Sequence, residues 1–186
     1  HTALTIGDTD LAYVIYSDET APDLTSAGTY PETQLSAYQG TNAYCYSDTV
    51  VEPGGIEHAI ALRPDNTLCM AYQDRDDLKL RYACQTTGSS CSNWTTQVVT
   101  EDIGETTSLS LGFSSNSIPY VVYHHTPTGT LRAASLQGTE WDIVTAAAVN
   151  GKDIGANVQL AIDSDDRVHL AFYNRTDETI WYAVGR

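Results

Sequence analysis

Positive charge is what this 186-residue chain has least of. Nine lysines and arginines stand against 24 aspartates and glutamates, a net charge of −15 at neutral pH. Such a surface repels polyanions and offers no basic patch to phosphate backbones, so no nucleic acid is expected as a partner, and no anionic membrane surface. Long apolar runs are missing as well: none approaches the roughly 18 residues of a spanning helix, so no membrane insertion is expected. No stretch holds a helical period of useful length, and the run Ala146–Ala148 is too short to nucleate a helix. The cysteines Cys45, Cys69, Cys84 and Cys91 lack the short spacing of tetrahedral zinc sites. The acidic turns Asp74–Asp77 and Asp163–Asp166 lack the glycine and distal glutamate of an EF-hand loop. No G-x-S-x-G marks a serine nucleophile. No metal and no cofactor is expected. His1 has the amine and imidazole that can chelate copper, but it reads more simply as a processing boundary, and the chain as soluble and already processed.

What the chain does have is repetition. The apolar segment Leu11–Tyr16 recurs as Leu68–Tyr72, Tyr120–Tyr123 and Val168–Tyr173, and the closing tyrosines Tyr16, Tyr72, Tyr123 and Tyr173 lie 56, 51 and 50 residues apart. A second short stretch follows each: Asp23–Ala27, Lys79–Ala83, Thr130–Ala134 and Thr179–Ala183, ending 11, 11, 11 and 10 residues beyond its tyrosine. Glycines open three copies, at Gly55, Gly104 and Gly155, and lead into alternating stretches such as Leu109–Leu111 and Leu160–Ile162. Trp94 and Trp141 begin a fourth segment. Four short β segments per repeat, separated by turn signals such as Pro64–Asn66 and Asp163–Asp166, predict four four-stranded units. The tyrosine-ended segment is apolar at nearly every position, so it should be buried on both faces, whereas the last segment is polar enough for an outer edge.

These features predict an all-β chain, a β-propeller of about four four-stranded blades, with repeats at 1–54, 55–103, 104–154 and 155–186 within one domain. Leu4 aligns with Ile60, Leu109 and Leu160, and the sequence stops after the third segment of the fourth repeat, so the last blade lacks its outer strand. The segment from Ala27 to Gly55 is longer than its counterparts, 28 residues against 21, and is a candidate for an extra strand at closure. An unpaired edge invites association, so a homo-oligomer, a strand exchanged with a partner chain, or a fragment of a larger ring is expected. The four tyrosines are read as structural wedge residues.

An even cysteine count and the polar loop between Cys84 and Cys91 suggest a disulfide between those two, with Cys45 and Cys69 left open. The sequons at Asn93 and Asn174 point to an extracellular glycoprotein.

The pattern of glycine, alternating leucines, an apolar run ending in tyrosine, Leu-Arg-x-Ala and then tryptophan resembles the repeats of secreted bacterial and fungal β-propellers, propeller lectins among them. In the fucose-binding fungal lectins an arginine followed by glutamate, with a tryptophan further on, holds the sugar. This chain keeps the arginine and tryptophan in Arg81 with Trp94 and in Arg132 with Trp141. It carries Tyr82 or Ala133 in place of the glutamate, and Thr25 or Trp181 in place of the arginine. Sialidase-type Asp-boxes are absent.

Carbohydrate is accordingly the expected partner, bound without catalysis at blade edges by Arg81, Trp94, Arg132, Trp141 and Trp181. Aromatic faces take the apolar side of a sugar ring, and planar donors take its hydroxyls. The alternatives are a polysaccharide-degrading lyase or glycoside hydrolase with one site in the central channel, and an assembly module that completes a ring with a partner. His124 and His125 would offer the general base of an enzyme, while His169 reads as an interior histidine.

Overall fold

The computed structural model describes residues 2–7, 11–18, 32–39, 42–51, 55–74, 76–86, 94–101 and 103–185. They form fifteen strands and no helix. Blade 1 contains β1 (Thr2–Ile6), β2 (Leu11–Asp18), β3 (Glu32–Gln39) and β4 (Asn42–Val51), and blade 2 contains β5 (Gly55–Leu62), β6 (Leu68–Asp74), β7 (Leu80–Gln85) and β8 (Trp94–Thr100). Blade 3 contains β9 (Leu109–Phe113), β10 (Pro119–His125), β11 (Thr130–Gln137) and β12 (Glu140–Ala147). Blade 4 has three strands, β13 (Ile154–Ile162), β14 (Val168–Asn174) and β15 (Thr179–Val184). Every strand pairs antiparallel with its sequence neighbour, and the first strands β1, β5, β9 and β13 touch in that order.

The repeat is written into the turns. Asn66, Ser117 and Asp166 are left-handed (φ 63°, 64° and 59°), each two residues before the second strand of its blade, and each donates its backbone N–H to the carbonyl three residues earlier. Asn and Asp tolerate that conformation, which explains the polar turn signals. Two of the opening glycines are steric necessities. A Cβ on Gly104 would lie 2.1 Å from the Thr126 hydroxyl oxygen, and one on Gly155, at φ +112°, 3.2 Å from Leu131 Cα.

Three apolar wedges join the blades. Ile15, Ile60, Leu68, Met70 and Tyr72 fill the first, between blades 1 and 2. Leu80, Tyr82, Leu109, Leu111, Val121 and Tyr123 fill the second. Val122, Leu131, Ile154, Val158, Leu170 and Phe172 fill the third. All seven residues of β6 are buried, the run Leu68–Tyr72 as its apolar pattern requires and Gln73 and Asp74 along with it, while β8 and β12 are largely exposed at the outer edge.

Several expectations need correction. The third strand of blade 1 is Glu32–Gln39, not Asp23–Ala27, so Gln34 stands opposite Tyr16 where Arg81 and Arg132 stand opposite Tyr72 and Tyr123. The long segment from Ala27 to Gly55 holds the ordinary third and fourth strands of that blade. Thr25 lies outside the described residues. In blade 4 the wedge position belongs to Phe172, opposite Trp181, and Tyr173 is turned to the other face. Phe172 lies six residues after left-handed Asp166, as Tyr72 and Tyr123 lie six after Asn66 and Ser117.

The disulfide joins Cys69 to Cys84, not Cys84 to Cys91. The two are directly opposite on β6 and β7 with Cα atoms 4.1 Å apart, so strand register sets the pairing and loop length does not. Asn174 is fully buried: its amide donates to Asp177 at 2.9 Å and its oxygen accepts from the backbone N–H groups of Thr176 and Asp177, so the folded turn has no room for a glycan there. The other sequon asparagine, Asn93, lies outside the described residues, as do His1 and Cys91.

Candidate functional site

The first strands of all four blades line one cavity of about 490 Å³. Ala3 and Leu4 come from β1, Glu57 and His58 from β5, and Asn157 and Gln159 from β13, with Thr107 just ahead of β9. Inner strands have one edge with no strand beyond it, and side chains satisfy part of that edge. Ser108 and Ser110 accept hydrogen bonds from the backbone N–H groups of Val158, at 2.5 Å, and Leu160, at 3.0 Å, which lace blade 3 to blade 4 beside the cavity.

Three groups give the site its electrostatic character. Burial pushes the Glu57 carboxyl above its ordinary value, because the charged form loses water. The same cause lowers His58 to about 4, so this imidazole is neutral at physiological pH. His124 is 1% exposed and its pKa is likewise lowered by burial, with Asp153 pulling the other way. Its Nε2 lies 2.6 Å from Asp153 Oδ1 and its Nδ1 lies 3.2 Å from the Thr107 hydroxyl. A carboxylate only accepts, so Nε2 carries the proton and Nδ1 accepts from Thr107.

The His124–Asp153 pair also has a structural counterpart one blade earlier. Gln73 occupies the same position opposite Leu80 as His124 does opposite Leu131. Its fully buried amide donates to the carbonyls of Leu78 and Gly104 and accepts from Thr106 N–H, which ties blade 2 to the start of blade 3.

The five residues expected at blade edges are distributed over three blades. Trp94 packs on the first wedge, Trp141 on the second and Trp181 on the third. Trp141 meets Tyr82 edge to face at 5.4 Å, and Trp181 donates its indole N–H to Thr179 at 3.0 Å. Arg81 is held by Asp74 at 2.7 Å and Asp77 at 2.8 Å. Arg132 lies beside the Tyr123 hydroxyl. His125 lies 2.6 Å from the Thr128 hydroxyl, and His169 is half-buried at the surface between Asp163, at 2.9 Å, and the Tyr182 hydroxyl, at 2.5 Å. Asp163 also binds Arg167 at 2.8 Å, and Asp166 takes Ser115 of the neighbouring blade, so these turn carboxylates already have protein partners. Among the described residues no group of three or more His, Cys, Asp or Glu side chains is placed to hold a metal.

The sequence reading missed Glu57, Thr107, Asn157 and Gln159. The available signal was polarity two to four residues after the opening glycine in the second, third and fourth repeats, where an apolar strand position would be expected.

No family model matches the chain, and no curated protein matches its sequence. Solved structures do. A protein of unknown function from Dyadobacter fermentans aligns with 97% of this chain and 51% of its own length at TM-score 0.68 and 10% identity. An endo-arabinase from Bacteroides thetaiotaomicron aligns with 97% of this chain and 72% of its own length at TM-score 0.59 and 8% identity. The catalytic domain of a Coprinopsis cinerea GH62 α-L-arabinofuranosidase aligns with 98% and 62% at TM-score 0.58 and 12% identity. The fold is a β-propeller. The chain spans about half the length of the Dyadobacter protein, and at these identities the likeness extends to the propeller and no further.

Proposed function

We propose that this propeller binds a saccharide in its axial cavity, one site per chain. The observation that carries the reading is the wall itself: Glu57, Thr107, Asn157 and Gln159 converge from three blades on a space of about 490 Å³, within the range of small-molecule sites. Carboxylate, hydroxyl and amide groups match the hydroxyls of a sugar, and Leu4 and Leu160 offer apolar surface to its C–H face. The saccharide class draws support from the names of two propeller neighbours, an endo-arabinase and an α-L-arabinofuranosidase. An oxidising, extracellular setting fits the Cys69–Cys84 disulfide. Blade-edge binding by Arg81 with Trp94, by Arg132 with Trp141, and by Trp181 is the competing placement.

Titration calorimetry with arabino-, xylo- and galacto-oligosaccharides tests both. Axial binding predicts a loss of at least tenfold in Glu57→Gln and in Asn157→Ala, with Trp141→Ala unchanged. The opposite pattern moves the site to the blade edge, and no binding by any folded variant or by the parent removes the proposal.

A second reading, glycoside hydrolysis, is favoured by the raised pKa of Glu57, the property a general acid needs near neutrality. Among the described residues lining the cavity Glu57 is the one carboxylate, whereas the common mechanism uses two. Product release from arabinan or xylan that disappears in Glu57→Gln while affinity persists would establish hydrolysis.

A further inference from the structure

His124 occupies a place that blade 2 gives to glutamine, and the two side chains are used differently. Gln73 bonds only backbone groups: it donates to the carbonyls of Leu78 and Gly104 and accepts from Thr106 N–H. The ring nitrogens of His124 meet two side chains instead, the Thr107 hydroxyl 3.2 Å from Nδ1 and Asp153 Oδ1 2.6 Å from Nε2. A tie between blades needs no imidazole, since glutamine already makes one. What imidazole adds is a basic nitrogen, and here it lies against the hydroxyl of a residue that lines the axial cavity.

The three side chains are held from both ends. The His124 carbonyl accepts from the Thr106 hydroxyl at 2.8 Å and its N–H donates to the Ser108 carbonyl at 3.2 Å, so the two residues flanking Thr107 anchor the histidine. Asp153 donates its N–H to Thr176 Oγ1 at 2.8 Å, its carbonyl accepts from Arg175 N–H at 2.9 Å, and Arg175 Nη1 stands 3.7 Å from Oδ2. Burial favours the neutral ring. With the ring proton on Nε2, the Nδ1 lone pair is left for the proton of Thr107.

We infer that Thr107 is a nucleophile activated by His124 and Asp153, and that the axial cavity hydrolyses acyl esters carried on a saccharide. The saccharide half rests on the axial-binding reading; the ester half does not. Thr107 Oγ attacks the acyl carbonyl carbon and forms an Oγ–C bond while its proton passes to His124 Nδ1. The C–O bond to the sugar then breaks, and the departing alkoxide takes that proton. Water attacks the acyl-threonine and gives a proton to Nδ1. The Oγ–C bond breaks, the proton returns to Oγ, and the carboxylic acid leaves. Asp153 is a positioning residue that fixes the tautomer and supports the imidazolium in both halves. The side-chain amides of Asn157 and Gln159, which line the same cavity, are N–H donors for the carbonyl oxygen as it becomes negative.

Hydrolysis of p-nitrophenyl acetate by the full chain, and acetate release from O-acetylated xylo-oligosaccharides, read the two halves separately. Both are expected to proceed, and a fluorophosphonate probe should attach to Thr107, located by mass spectrometry of the peptides. Thr107→Val should lower both rates by about a hundredfold or more and block the label, and Thr107→Ser should recover label and turnover in part. Asp153→Asn should slow labelling by about tenfold or more with circular dichroism unchanged, because an amide N–H facing Nε2 moves the ring proton to Nδ1. Ester hydrolysis that survives Thr107→Val, a label on another residue, or no hydrolysis by the folded chain overturns the inference. An unchanged labelling rate in Asp153→Asn overturns the role of the relay. Turnover of p-nitrophenyl acetate without acetate release from the sugar supports the nucleophile and removes the saccharide. Oligosaccharide binding without turnover of either ester overturns the nucleophile and leaves the axial binding site standing.

Discussion

Leu80 and Ile180 hold the same place in their blades, opposite Gln73 and Tyr173 on the neighbouring strand, and one is fully buried while the other is almost fully exposed. The same split runs along the second strands. Every residue of β6 is buried, but β14 alternates, with Leu170 and Phe172 inside and Ala171 outside. The residue types differ little. What differs is the neighbour: the strands of blade 3 cover the outward face of blade 2, whereas among the described residues none covers that of blade 4. In a propeller, then, an apolar side chain in this position stabilises the fold only when its neighbour is present, so equivalent substitutions should have unequal consequences.

The largest expected contrast lies in that position. Leu80→Ala and Leu131→Ala should each cost about 4 kcal/mol through lost burial and a cavity. Ile180→Ala should stay within about 0.5 kcal/mol, as exposed substitutions do. Denaturant unfolding at low protein concentration measures all three, and equal losses would break the comparison. Next comes the covalent tie that only blade 2 shows among the described residues. The Cys69–Cys84 bridge closes a separation of 15 residues, so Cys84→Ser should lower stability by about 3 kcal/mol. A loss below about 1 kcal/mol would mean that strand pairing already holds β6 to β7.

A third difference separates the wedges by pH. His58 titrates at about 4 in the folded chain against 6.5 when unfolded, chiefly because of burial. The unfolded state binds the proton more tightly, so this contribution is fully present above pH 6.5 and is lost as pH falls toward 4, by roughly 3 kcal/mol at most. His58→Gln should flatten the stability profile in that window, and an unchanged slope would place the acid sensitivity elsewhere.

Much of the architecture was legible in the chain. The tyrosine spacing counted the blades, the two-sided apolar run in Leu68–Tyr72 identified a central strand, and left-handed Asn66 and Asp166 sit where the turn residues indicated. The misreadings share a cause. Asp23–Ala27 matched its counterparts in composition and Tyr173 in residue type, but the third strand of blade 1 is Glu32–Gln39, and the wedge position, six residues after the left-handed turn residue in blades 2, 3 and 4, falls in blade 4 on Phe172. The cysteine pairing followed strand register, which local loop chemistry does not report. The axial wall was nearly invisible, because Glu57, Thr107 and Asn157 lie about fifty residues apart and meet only through the ring.

By itself the sequence determined the strands, their turns and their repetition, because alternation, apolar runs and left-handed turn residues act over a few neighbouring positions. Which apolar faces are covered, which cysteines pair and which polar groups converge on the axis were decided by the tertiary structure. Those outcomes depend on side chains brought together from separate blades, and no local preference encodes such a distance.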